Sequence, residues 1–231
     1  MQALTTQAWL RWDRVRRLLP PGESLLEIGA GMGGLGVMLS RHYDYTGLEP
    51  DETSYAVSAR RNPGRVLNAR AEDHDGVYDI VCAFEVLEHI EDDVEALASW
   101  RDRSRNWLLI SVPSNPQKFG PADERVGHYR RYDRNTLSAA LGAAGWEARE
   151  LCAYGFPLGL ALDAIRQRIA ARRPLRDATT LDRTHSSGRW LQPPESLAAL
   201  TWTAALPFRL LQRPFAATDL GSGLIALASR N

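Results

Sequence analysis

With 231 residues, 44% hydrophobic and 24% charged, the chain suits one large globular domain, or one domain with an appendage, and neither a fibre nor a disordered tail. Its 28 basic and 28 acidic residues cancel, so no net field recruits nucleic acid or a membrane surface. Two cysteines, Cys82 and Cys152, exclude a disulfide framework, and neither the N-terminus nor the uncharged run Ser196 to Phe208 reads as a secretion signal or a bilayer span.

Read in chain order, the spacing predicts a helix over Thr5–Leu19, ending at Pro20-Pro21-Gly22. Short apolar runs then alternate with helical patterns. Ser24–Ile28 reads as a strand, Gly34–Arg41 as a helix, Tyr45–Glu49 as a strand and Asp51–Arg61 as a helix. Arg65–Asn68 is a weak strand and Tyr78–Ala83 a strong one, followed by a helix over Ile90–Trp100. Trp107–Val112 is a buried strand, and Asp133 caps a helix Arg134–Ala144 that stops at Gly145. Trp146–Tyr154 and Leu224–Ala228 read as the last two strands. Between them, residues 155–220 hold two helical stretches, Leu158–Arg173 and Glu195–Leu211, with proline joints at Pro174, Pro193-Pro194, Pro207 and Pro214. The alternation predicts βαβ units and a mostly parallel sheet. The expected division is an α/β core over 1–154, a helical insertion or lid over 155–220, and a final core strand over 221–231.

The segment Leu25-Leu26-Glu27-Ile28-Gly29-Ala30-Gly31-Met32-Gly33-Gly34 is a strand running into a glycine-rich turn. It matches G-x-G-x-x-G through Gly29, Gly31 and Gly34, so a dinucleotide site has to be weighed. Glu49 ends the next strand, placed to accept hydrogen bonds from ribose hydroxyls. Glu27 separates the options. A carboxylate two residues before the first glycine sits awkwardly beside a pyrophosphate and well beside a cationic ligand.

With these residues the sequence resembles the class I S-adenosylmethionine (SAM)-dependent methyltransferases, particularly the large small-molecule group. The resemblance runs over about residues 20–150, through Gly47-Leu48-Glu49-Pro50-Asp51, Ala71-Glu72-Asp73, the run from Tyr78 to Ile90, and Leu108-Leu109-Ile110-Ser111-Val112-Pro113. It implies a Rossmann-like seven-stranded sheet with an antiparallel last strand. It further implies SAM held by Glu27, Gly29, Gly31, Gly33, Glu49 and Pro50, the adenine met by Glu72 or Asp73, and the pocket lined by Phe84 and Glu85.

Two clusters bear on the acceptor. Glu85, Glu88 and His89 have i, i+3, i+4 spacing and would share a face if helical. Such a set suits a divalent cation, as the same pattern does in ubiquinone-biosynthesis O-methyltransferases, although it also occurs widely without metal; no metal is the favoured reading. Gly127-His128-Tyr129-Arg130-Arg131-Tyr132-Asp133 follows the fifth strand. There His128 is the candidate base and Arg130, Tyr132 and His89 candidate substrate contacts, with a plain loop anchor as the competing reading. Between 155 and 215 nine arginines face Asp163, Asp177, Asp182 and Glu195, which suits a solvated lid or a surface for an anionic or lipid-linked acceptor. The expectation is a cytoplasmic methyltransferase acting on a small-molecule hydroxyl, without nucleic acid partners or a membrane span, peripheral membrane contact staying open. The alternatives are a non-catalytic SAM-binding regulator and a nicotinamide oxidoreductase.

Overall fold

The computed structural model describes residues 4–172 and 198–230. Seven strands form one sheet in the order β3-β2-β1-β4-β5-β7-β6. They are β1 Ser24–Ile28, β2 Asp44–Leu48, β3 Val66–Leu67, β4 Tyr78–Phe84, β5 Ser104–Pro113, β6 Trp146–Tyr154 and β7 Gly223–Arg230. β7 runs antiparallel to both β5 and β6, and the other pairings are parallel. The expected sheet and its reversed last strand are both present.

Apolar residues occupy successive strand positions because both faces are covered. Leu108, Ile110 and Val112 join the core on one face, beneath α4 (Asp93–Asp102) and α6 (Arg134–Ala143); Leu97, Trp100 and Leu141 complete it. Leu109, between them, points to the other face, where α1 (Thr6–Val15) brings Trp9, Leu10 and Val15. Thr5 starts α1 by accepting a hydrogen bond from the Ala8 amide, 3.1 Å away.

Several element ends differ from expectation. α2 is a single turn, Gly36–Leu39, because the glycine loop extends to its start. α3 begins at Glu52, capped by the Asp51 side chain, and ends at Arg61. The helix expected from Ile90 begins at Asp93, where Asp92 caps it by accepting from the Glu95 amide. Before it lies only a 3-10 turn, Leu87–His89. A short helix α5, Pro121–Val126, was not foreseen in the loop after β5. Between β6 and β7 stand α7 (Leu158–Ala171) and α8 (Ala198–Leu211). The intervening residues 173–197, with the proline joints at Pro174 and Pro193-Pro194, lie outside the described residues. α8 returns to the core through Ala205, buried against the α1 face, and through Gln212, whose side chain bridges the Leu10 carbonyl and the Gly155 amide.

Register places the site. Ile28 lies level with Leu48 on β2 and with Ala83 on β4, so Gly29, Glu49 and Phe84 leave the sheet in one row. Strand order reverses between β1 and β4, and the crevice outside their carboxyl ends is where ligands bind such sheets.

Gly33 is fixed by packing against α3. Its φ is +74°, and a Cβ there would lie 2.4 Å from Ser58 Oγ and 2.8 Å from Ser58 Cα. Gly64 has a similar φ of +71° and open space around it. Alanine at either position carries about 1–2 kcal/mol of left-handed strain, but only at Gly33 does it also collide with backbone. Gly33→Ala should therefore melt several degrees below Gly64→Ala by calorimetry, at about 2–4 °C per kcal/mol.

Candidate active site

A cleft of about 440 Å³ opens over the carboxyl ends of β1, β2 and β4. Glu27, Gly29, Gly31, Glu49, Pro50, Phe84 and Glu85 line it, as does a second group, Glu88, His89 and His128. The two clusters recognised separately in the sequence thus share one cavity.

The first group is organised by Glu49. Its Oε2 accepts from the Gly31 amide at 2.7 Å and its Oε1 from the Asp51 amide at 2.9 Å, which ties the glycine turn to the end of β2. Gly31 has a φ of +55°, and a Cβ added there would meet nothing within 4 Å. The backbone is therefore bare towards the cleft at that point. Glu27 is buried behind the turn and accepts a 2.6 Å hydrogen bond from the Tyr45 hydroxyl. Burial pushes its carboxyl up to about 7 despite that bond.

Glu85 follows β4 with a φ of +59°, a conformation that non-glycine residues rarely adopt. Its Oε1 accepts from Ser111 Oγ and from the Tyr154 hydroxyl, each at 2.9 Å, and lies 3.3 Å from the Arg11 guanidinium. Arg11 in turn sits 5.9 Å from the centre of the Phe84 ring. This turn separates Glu85 from Glu88 and His89, so the three do not share a helix face as their spacing suggested.

Instead Glu88 and His89 meet His128, which arrives from the loop after α5. The three offer ligand atoms within 4.8 Å of one another. His128 Nε2 lies 3.8 Å from Glu88 Oε1, and its ring stands edge-on to His89 with centroids 4.6 Å apart. Glu88 is fully buried, and neither of its carboxylate oxygens has a hydrogen-bond partner among the described residues. Burial and the charge of Glu85 push its carboxyl well above the usual range. Burial and the neighbouring His128 push His89 down to about 3, leaving a neutral imidazole.

The other face of His128 is held by Asp123. Nδ1 lies 2.9 Å from Asp123 Oδ1, and Arg131 Nε donates to the same oxygen at 2.9 Å. Burial opposes ionisation of Asp123, but the bonds from His128 and Arg131 outweigh it and hold the carboxyl well below its usual range. An ionised carboxylate only accepts, so the Nδ1 beside it carries a proton, and in the neutral ring Nε2 is then the acceptor. Asp123 had no motif to flag it in the sequence; its position in the third place of an unforeseen short helix was the only local signal.

Five residues anticipated at the site are turned elsewhere. Gly33 faces α3, as described above. Glu72 and Asp73 are exposed in the loop after β3 and do not line the cleft. Arg130 pairs with Asp93 at 2.9 Å, and the buried Tyr132 donates to the same carboxylate at 2.7 Å. Those two residues fasten the loop to the start of α4 and do not line the cleft, since Asp93 gives both a charged partner.

The methyltransferase domain family matches residues 5–151. This chain belongs to that family and has the fold of the class I SAM-dependent methyltransferases. Among curated proteins none matches it. A solved SAM-dependent methyltransferase from Thermotoga maritima, described as a possible histamine N-methyltransferase, is 17% identical with a TM-score of 0.61, over 97% of this chain and 90% of that one. One from Mesorhizobium loti is 14% identical with a TM-score of 0.59, over 96% and 98%. The magnesium protoporphyrin IX methyltransferase of Synechocystis, solved with S-adenosylhomocysteine (SAH) bound, is 12% identical with a TM-score of 0.55, over 100% and 89%. At these identities the likeness is one of fold. Among the described residues no helix is long and apolar enough to cross a membrane.

Glu27 gives the methyltransferase a pH signature. Its folded carboxyl titrates at about 7 against an ordinary value of 4.5, so the folded state binds more protons between those limits. Stability falls as pH rises through that window and levels above it. Glu27→Gln lacks this loss. Denaturant unfolding from about pH 4.5 to 8 should show the variant gaining about 3 kcal/mol on the wild type.

Proposed function

We propose that this methyltransferase transfers the methyl group of SAM to a hydroxyl oxygen of a small-molecule acceptor. The observation that carries the reading is the shared cleft: the Gly31–Glu49 end and His128, backed by Asp123, face one cavity. When bound, SAM supplies an electrophilic methyl on a sulfonium centre. The residues fit that group. Gly31 leaves room for close approach, and Glu49, set at the end of β2 by the Gly31 and Asp51 amides, places its carboxylate where ribose hydroxyls would donate. Glu27 behind the glycine turn and Glu85 beside it are carboxyl groups whose ionised forms a cationic ligand would favour.

At the other end, His128 takes the proton that the acceptor hydroxyl loses as its oxygen is alkylated. Asp123 holds the imidazole in the tautomer this needs and stabilises the imidazolium that results. Arg166 of α7 also lines the cleft, hydrogen-bonded to the neutral Gln7 amide at 3.0 Å, which favours an acceptor carrying a carboxylate or phosphate. The insertion carrying α7 and α8 is the part that excludes water over the acceptor.

Conversion of SAM to SAH in the presence of candidate acceptors separates this reading from a non-catalytic SAM-binding protein. Glu49→Ala should weaken SAM by at least tenfold by calorimetry, at about 1.4 kcal/mol per decade. Unchanged SAM affinity, or tight NADH binding by the wild type, would remove the assignment.

The unpartnered carboxylate of Glu88 favours a second reading of the acceptor end. Glu88, His89 and His128 would hold a divalent cation, with Asp123 orienting His128 from behind. A cation there would lower the pKa of an acceptor hydroxyl and replace His128 as the means of ionising it. Under that reading excess chelator abolishes transfer and Mg²⁺ or Mn²⁺ restores it. Full activity in chelator leaves His128 as the base.

A further inference from the structure

We propose that helix α7 of the insertion sets the orientation of His128, with Asp163 and Gln167 as positioning residues acting through Asp123. The proposal rests on the methyl-transfer reading for its purpose, but not for its geometry.

All the acceptor capacity of Asp123 is engaged. Oδ1 receives His128 Nδ1 and Arg131 Nε, each at 2.9 Å. Oδ2 receives Gln167 Nε2 at 2.7 Å and the Gly120 amide at 3.0 Å. One of these four donors belongs to α7 itself. A second, Arg131, is held by α7: Asp163 binds its two terminal nitrogens at 2.9 and 3.0 Å. This fork geometry fixes the guanidinium plane as well as its position. Arg131, Asp163 and Asp123 are all buried, so no water competes for the bonds.

Gln167 grips from both ends, since its Oε1 also accepts from the Ala122 amide at 2.9 Å. Asp163 and Gln167 are one turn apart and share a face of α7 with Arg166, the residue that lines the cleft and reaches Gln7 of α1. A single helix face therefore touches the acceptor cavity and the carboxylate behind His128. Displacing α7 would leave Oδ2 of Asp123 with the Gly120 amide alone, release Arg131, and let the carboxylate turn. The imidazole would then lose the partner that selects its Nδ1–H form. Glu88 at 3.8 Å and His89 edge-on are the groups facing the ring from the other side, and neither supplies an ionised acceptor that would replace Asp123 in selecting one form.

The test uses the full chain labelled with ¹⁵N-histidine and long-range ¹H–¹⁵N correlation, which reads the tautomer of each ring. In the wild type the His128 signals, assigned by loss in His128→Gln, should show a single form protonated at Nδ1. In Gln167→Met and Asp163→Asn they should shift towards a mixture with the Nε2–H form. SAM affinity should stay within about threefold of wild type in both, because neither residue touches the Glu49 end. Asp163→Glu should restore the single form more fully than Asp163→Asn. Should Asp163→Asn fail to fold, Gln167→Met decides the matter alone, since it leaves the Arg131 ion pairs in place. A His128 spectrum identical to wild type in folded Gln167→Met overturns the proposal. The readout needs no acceptor, so a protein that never methylates a hydroxyl would refute the proposed function and leave this result standing.

Discussion

Parallel strands that end level with one another, with the chain leaving in opposite directions from β1 and β4, create the crevice on which everything else depends. Because Ile28, Leu48 and Ala83 are in register, the residues that follow them emerge side by side. A one-residue slip of β4 would send Phe84 and Glu85 to the wrong faces. The register is held from both sides of the sheet: Trp100 and Leu141 pack on one face, Leu10 and Leu39 on the other. At the opposite end of the strands, Asp79 accepts from the amides of Glu23 and Ser24 and clamps β4 to β1. Core packing and a single carboxylate thus set the geometry of a site well above them.

The same economy governs the acceptor end, but by polar contacts. His128 lies in a loop, where a side chain has little packing to restrain it. Asp123 supplies the restraint, and its own position depends on a buried guanidinium and on α7. Buried ion pairs of this sort add little net stability, since desolvation offsets their attraction, yet they are costly to break one partner at a time. Their value here is directional. A fork between Arg131 and Asp163 tolerates few orientations, and so few placements of the carboxylate behind the imidazole.

The sheet was legible in the sequence because strand and helix periods differ and because both faces are covered, which writes each central strand as an apolar run. The glycine turn and Glu49 were legible for a related reason, since backbone that must bend and touch a ligand leaves few residue types to choose from. The acceptor end was read less well. Spacing suggested that Glu85, Glu88 and His89 share a helix face, but one left-handed residue at Glu85 redirects the chain and sends the side chains to different partners. Arg130 and Tyr132 looked like substrate contacts because they sit beside His128, and nothing local revealed that Asp93, near forty residues earlier, would claim both. Asp123, Arg131, Asp163 and Gln167 form a network across three separate elements or loops, and pairings of that range leave no periodic trace.

The cleft holds several carboxyl groups that the fold treats differently, and the difference bears on what the crevice can accept. Glu49 is fed by two backbone amides. Glu27, buried under the turn, stands near neutrality in its titration and has only a phenol for a donor. Glu88 is pushed towards its neutral form by burial and by Glu85. A dinucleotide would set a pyrophosphate over the turn, where any ionisation of Glu27 repels it. A cationic ligand would do the reverse, drawing Glu27 towards its charged form and gaining attraction as it did so. Carboxyl groups whose environments push their acidities apart commonly mark distinct roles in one site. Here the member fed by amides lies at the end of β2 beside the glycine turn, the poised one behind the turn that a positive charge would approach, and the one pushed towards neutrality beside the imidazole proposed as the base.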